Sequence, residues 1–125
     1  MTSMIAKRKP GTAAQVQAER RRRLALGFEY DFGDARGVHT FATTEKDMEG
    51  WNEVTQWASA MIAKGAPGAT ILISTETAPA TVTAMEWQDI LASASAFRQP
   101  IWQASFALQA QDPIPHDFKD DSYWP

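Results

Sequence analysis

Two histidines, His39 and His116, are the only imidazoles in this 125-residue chain, and it contains no cysteine. Proton transfer near neutral pH would run through one of them or through a carboxylate with a displaced pKa. His39 falls in a stretch of strand character, at a position read as facing outward, where a structural histidine is a simpler assignment than a catalytic base. His116 stands among Asp112, Asp117, Asp120 and Asp121, and an imidazole with carboxylate oxygens could hold a hard cation or a transition metal. Their spacing matches no calcium loop, so a solvated acidic tail accounts for the cluster and no metal is assigned. Glu76, between Thr75 and Thr77, reads as a turn residue. A thiolate nucleophile is excluded, and no glycine-rich phosphate loop, nucleophile elbow or paired-carboxylate motif is present. No catalytic residue and no cofactor is assigned, and the chain does not read as an enzyme.

The sharpest charge feature is the run Arg20, Arg21, Arg22 and Arg23. Guanidinium groups on phosphates release counterions, so nucleic-acid binding is one reading. The acidic total of −3, the pI of about 5.3 and the lack of a base-reading module disfavour it. Charge is unevenly distributed: over residues 1–27 seven basic side chains face Glu19 alone, a net +6 that leaves −9 on the remainder. Pairing of the arginine run with an acidic surface on a partner is the favoured reading. Trp51 and Trp57 could stack a ligand, but their near-helical spacing places them in a core.

These residues need elements to position them. With 44% hydrophobic and 22% charged residues, the chain has the composition of one folded domain with one core. No apolar run approaches the ~18 residues needed to span a bilayer, and Met1–Pro10 lacks the apolar middle of a signal peptide, so no membrane partner is expected. Residues 1–11 read as a basic arm closed by Pro10-Gly11. Thr12 and Gln15 form a capping box that opens a first helix, which runs to Leu26 and stops at Gly27. Its apolar content is thin, so it is expected to project as a solvated spur or to pack on another subunit.

Phe28, Tyr30 and Phe32 alternate with Glu29 and Asp31, the period of a strand with one aromatic face. Turn residues 33–37 then lead to a second strand over 38–42. Thr43 or Thr44 caps a second helix whose stripe is Trp51, Val54, Trp57, Ala58, Met61 and Ile62. A second hairpin follows over 70–75 and 80–84. Its last strand feeds the longest helix, opened by a Thr83/Glu86 capping box and carrying Trp87, Ile90, Leu91, Ala94, Phe97, Ile101, Ser105 and Leu108 on one face. Pro100 is expected to kink or break it. The fold class is α+β, three helices alternating with two β-hairpins, with the domain over 12–110 and extended arms at both ends.

Residues 111–125 carry Pro113, Pro115 and Pro125, no helical period, and the rings of Phe118, Tyr123 and Trp124. Aromatic anchors on a polar tail have the pattern of a segment that docks on another surface. Trp102 and Phe106 widen the apolar arc of the last helix beyond what one face needs. Partner binding is therefore assigned to Arg20, Arg21, Arg22, Arg23, Trp102, Phe106, Phe118, Tyr123 and Trp124. Truncating Tyr123 and Trp124 is expected to leave the melting temperature nearly unchanged.

The arginine-rich helix, the Gly27-Phe28-Glu29-Tyr30 entry into a hairpin, the next helix, the Thr-rich hairpin and the final long helix together resemble an uncharacterised bacteriophage domain family. That family occurs in tail-fibre, tail-tip and tail-fibre-assembly proteins, and the resemblance covers roughly residues 20–110. It brings no catalytic residues. It implies a virion or virion-assembly setting and an α+β fold; the expected location is the virion tail after synthesis in the host cytoplasm, with other phage tail proteins as partners and a homo-oligomeric state. The first expectation is a non-enzymatic tail structural protein: a fibre attachment, adaptor or tail-tip component. The alternatives are a transient tail-fibre assembly chaperone and a small nucleic-acid-binding protein acting through the Arg20–Arg23 helix.

Overall fold

In a computed structural model, residues 8–125 are described; Met1–Lys7, most of the expected basic arm, lie outside them. The order of elements is α1 (Ala13–Ala25), β1 (Phe28–Asp31), β2 (Val38–Phe41), α2 (Glu45–Ala63), β3 (Thr70–Ser74), β4 (Pro79–Thr83) and α3 (Ala84–Gln109), followed by a single 3-10 turn at Asp121–Tyr123. This is the expected α+β alternation of three helices and two hairpins. The hairpins are separate two-stranded antiparallel sheets, β1 with β2 and β3 with β4.

Local side chains set the helix starts. The Thr12 amide donates to Gln15 Oε1 at 3.1 Å, and the Gln15 amide returns a bond to Thr12 Oγ1 at 3.2 Å. Thr83 and Glu86 form the same reciprocal pair at 2.9 and 3.0 Å ahead of α3. Of the two candidates before α2 it is Thr44 that caps, in a box closed by Asp47, while Thr43 is fully buried and donates to the Leu24 carbonyl at 2.6 Å. Each box satisfies two amides that the helix itself leaves without partners. Gly27 ends α1 with φ of +72°, and a side chain there would meet the Phe41 carbonyl oxygen. Of the kink or break expected at Pro100, the break does not occur: α3 continues through it to Gln109. A proline removes one donor from the ladder, and a helix this long has other turns to hold it.

The chain divides into two compact units, one made of residues up to Arg23 with Arg98–Pro125, the other of Leu24–Phe97. In the second, Phe41, Trp51, Ala58, Ile73, Ala80, Val82, Trp87, Ile90 and Ala94 form a continuous buried cluster flanked by Phe28, Tyr30, Val54, Trp57 and Met61. The aromatic face of the first hairpin supplies much of it: Phe28 stacks on Phe41 at 5.6 Å, and Trp51 lies 4.7 Å from Trp87 between ring centroids. The indole N–H groups are satisfied, Trp87 by Thr55 Oγ1 at 3.0 Å and Trp51 by the Ala42 carbonyl at 3.3 Å. Trp51 and Trp57 thus belong to the core side of α2.

The first unit buries Val16, Ile101, Leu108, Phe118 and Trp124. The C-terminal residues are part of this folded unit and not a free arm. The Trp124 indole donates to the Phe118 carbonyl at 2.8 Å, and the Gly11 amide donates to the Ile114 carbonyl at 3.1 Å. Phe118 and Trp124, expected as exposed anchors, are 5% and 6% exposed. Their rings cover apolar surface of their own unit, which removes them from solvent as effectively as a partner would.

Candidate interaction site

Three of the four arginines of the run, Arg20, Arg22 and Arg23, bond within the helical unit. Glu19, only 3% exposed, accepts from Arg22 Nη2 at 2.7 Å and from Arg23 Nε at 2.8 Å. The Arg22 guanidinium holds the Glu19 carboxyl below its ordinary value, with Arg23 adding to the effect and burial opposing it. Arg23 also donates to the Lys119 carbonyl at 2.9 Å and to Asp121 Oδ1 at 2.7 Å. Arg20 lies 3.9 Å from the Trp102 ring centroid and donates to the buried Ser105 hydroxyl at 3.1 Å.

The expected pairing of Arg20, Arg22 and Arg23 with a partner's acidic surface is therefore corrected. Acceptors and rings within the unit occupy them, and α1, with Val16 and Glu19 buried, is not a solvated spur. Arg21 is exposed. Of the aromatic candidates, Phe106 remains 59% exposed, Trp102 is half-buried 5.7 Å from it, and Tyr123 is half-buried with its hydroxyl donating to Asp117 Oδ1 at 2.9 Å.

The histidines do not converge on a reaction centre. His39 is buried, correcting its outward assignment: in β2 it shares the inward register with Phe41. One ring nitrogen bonds Thr75 Oγ1 at 2.8 Å and the other the Arg36 carbonyl at 3.0 Å, and Phe32 meets the ring edge-on. A histidine with both nitrogens occupied and its face covered is a structural side chain. His116 is exposed, with Arg8 Nη1 at 3.3 Å. Among the described residues no three His, Asp or Glu side chains are grouped to share a metal ion, and no helix is long and apolar enough to cross a membrane.

Sequence reasoning passed over Arg36. From the first hairpin turn it ion-pairs with Asp34 and Glu86, donates to the Thr81 carbonyl at 2.9 Å and lies 4.3 Å from the Phe32 ring centroid. Its hydrogen bonds hold the Asp34 carboxyl down to about 2 and lower Glu86 as well. A turn arginine beside Asp34 was a visible local signal, but the contact with Glu86 spans fifty positions and leaves none.

What stays open in the 24–97 unit is an acidic, partly apolar cleft of about 480 Å³. Phe41 and Ala42 at the end of β2, residues 72–76 of β3 and its following loop, and the Lys46–Val54 face of α2 line it, with Trp87 from α3. No residue of β1 or β4 does, so the cleft opens between β2 and β3. Near one end β2 is joined to the loop after β3, where the Glu76 amide donates to the Thr40 carbonyl at 3.0 Å and the Thr40 amide to Thr77 Oγ1 at 2.9 Å. Leu72, 68% exposed, stands on its wall. The charged lining is Asp47, Glu53 and Glu76 against Lys46. None of these was assigned from sequence, because a β-branched strand and an acidic helix face each read locally as ordinary core and solvated surface. In comparisons with known proteins, the chain matches no family model, no curated protein and no solved structure.

Proposed function

We propose that the protein is a non-enzymatic structural component of a bacteriophage tail, working by packing onto neighbouring subunits. The observation that carries the assembly reading is apolar surface left uncovered beside concave sites. Leu26 and Leu72 are 67% and 68% exposed, each lining an open cavity of the 24–97 unit. Val38 and Met85 add further half-exposed apolar side chains in the same unit, and Phe106 does so in the other. Large apolar groups at a concavity are the surface that association covers. Arg20 and Arg23 are turned to contacts within their own unit, which favours the assembly reading over nucleic-acid binding. The tail setting rests on the sequence resemblance.

Quantitative mass spectrometry of purified phage particles tests the proposal. The expected result is this chain at a fixed, small integer ratio to a known tail protein. Abundance in infected-cell lysate with absence from particles would overturn it and favour the transient assembly chaperone.

A further inference from the structure

We infer that the cleft between β2 and β3 receives the basic N-terminal segment of a second copy of this chain, added along the free edge of β3. The inference deepens the assembly reading above without depending on the virion setting. Three observations point to it.

The first is the strand itself. Among the described residues β3 has one hydrogen-bonded neighbour strand, β4, and because Leu72, Ile73 and Ser74 line the cleft while no β4 residue does, the unpaired edge of β3 is the one on the cleft side. Free edges are ordinarily blunted by lysine, proline or a bulge, and the sequence Thr-Ile-Leu-Ile-Ser has no lysine or proline. An added strand would pair with that edge and gain main-chain hydrogen bonds regardless of its side chains.

The second is the lining. Trp51, Val54, Leu72 and Trp87 offer apolar and aromatic surface, while three carboxylates, Asp47, Glu53 and Glu76, outnumber the single ammonium of Lys46. Asp47 is committed to capping α2, leaving Glu53 and Glu76, both exposed, as the carboxylates free to meet cations. The fitting occupant is a short segment with one or two apolar side chains next to a cluster of positive charge.

The third is that the chain carries such a segment. Residues 1–11 read Met-Thr-Ser-Met-Ile-Ala-Lys-Arg-Lys-Pro-Gly, with Met4 and Ile5 for the apolar lining, Lys7 and Lys9 for the carboxylates, and Pro10 to end strand pairing, while Arg8 between them lies against His116 of its own unit. Seven of those residues lie outside the described structure, enough to match the five of β3. Seated in the cleft of the next copy in series, the segment builds a ring or a filament; exchanged reciprocally between two copies, it builds a closed dimer.

The test uses the full chain and a fluorescein-labelled peptide of residues 1–11, with anisotropy reporting peptide binding and sedimentation velocity reporting self-association. The expected result is saturable binding and concentration-dependent oligomers, both weakened about tenfold or more in the double variant Glu53→Lys/Glu76→Lys. A peptide with Lys7 and Lys9 replaced by glutamate should bind that variant better than the parent chain. Circular dichroism and melting temperature of the variant, whose changed residues are exposed, verify that it folds. Leu72→Lys, which places a charge on the edge strand, should also abolish oligomers. A scrambled peptide binding as tightly as the native order, unchanged binding by the folded double variant, or a chain that remains monomeric at all concentrations would each overturn the inference.

Discussion

The Arg23 guanidinium lies over the Trp124 indole, 5.0 Å from the ring centroid, while donating to the Lys119 carbonyl and to Asp121. A cation held against a ring in a largely dry setting adds to the ring's own burial. The C-terminal residues are thereby tied to α1 by apolar, polar and ionic contacts at once. Trp124→Ala and Phe118→Ala should each destabilise the protein by about 3–5 kcal/mol, the range for large aromatic truncations in a core. Tyr123→Ala, which loses an exposed hydroxyl bond, should cost about 1 kcal/mol. Chemical denaturation of the three variants checks this order, and equal, small effects would contradict the burial of Phe118 and Trp124.

Glu19 gives the helical unit a pH signature. Hydrogen bonds from Arg22, then Arg23, hold its carboxyl below the ordinary 4.5 despite burial, so the unfolded chain takes up a proton at a pH where the folded protein does not. The stability this contributes is full above 4.5 and is lost as pH falls through the lowered folded value. Glu19→Gln should be less stable than wild type at pH 7, by about 3 kcal/mol for a broken buried pair. Its loss of stability between about pH 5 and pH 3 should be shallower than that of wild type. Parallel denaturation curves for both proteins across that range would show that Glu19 is not ion-paired in solution.

The order of elements was legible because it is written in short-range signals. Thr12 with Gln15, Thr83 with Glu86, the cap before Glu45 and the alternation of Phe28, Tyr30 and Phe32 all act within a few positions, and each appears as read. The misread residues are those whose partners are distant along the chain. Arg23 meets Asp121 across ninety-eight positions, and nothing local distinguishes it from a solvated arginine. His39, read in the outward register of its strand, faces inward, where Thr75 and the Arg36 carbonyl satisfy both ring nitrogens. The cleft was invisible for a related reason: it is a relation between two hairpins, and neither sequence alone describes it.

Two glycines with nearly the same backbone separate conformational strain from steric contact. Gly27 and Gly33 have φ of +72° and +74°, and an alanine at either would adopt the left-handed region at a cost of about 1–2 kcal/mol. Around Gly33 an added Cβ meets nothing within 4 Å, so Gly33→Ala should lose no more than that. At Gly27 the added carbon would come within 2.2 Å of the Phe41 carbonyl oxygen, a backbone atom that cannot swing away. Gly27→Ala should lose about 1–3 kcal/mol beyond Gly33→Ala, since the β1–β2 register must shift to admit it. Urea unfolding of the two variants measures the difference, and equal losses would mean the α1–β1 junction relaxes freely.

Arg36 offers the most direct reading of the 24–97 unit, because its partners report its position by titration. Asp34 accepts from Arg36 Nη2 at 2.7 Å and from its backbone amide at 2.9 Å, and its carboxyl is held down to about 2 from an ordinary 3.8. The side-chain hydrogen bond is the larger cause and the backbone bond the next. Arg36→Met keeps the backbone amide and removes the guanidinium. The Asp34 carboxyl should therefore rise most of the way toward 3.8 without reaching it, and Glu86, whose lowering is led by the same arginine, should rise with it. Carboxyl carbon shifts followed by NMR from pH 7 to pH 1.5 would record both. Movement of Asp34 alone would place Arg36 on the turn and away from α3, and the ion pair that joins the first hairpin's turn to the start of α3 would then be absent.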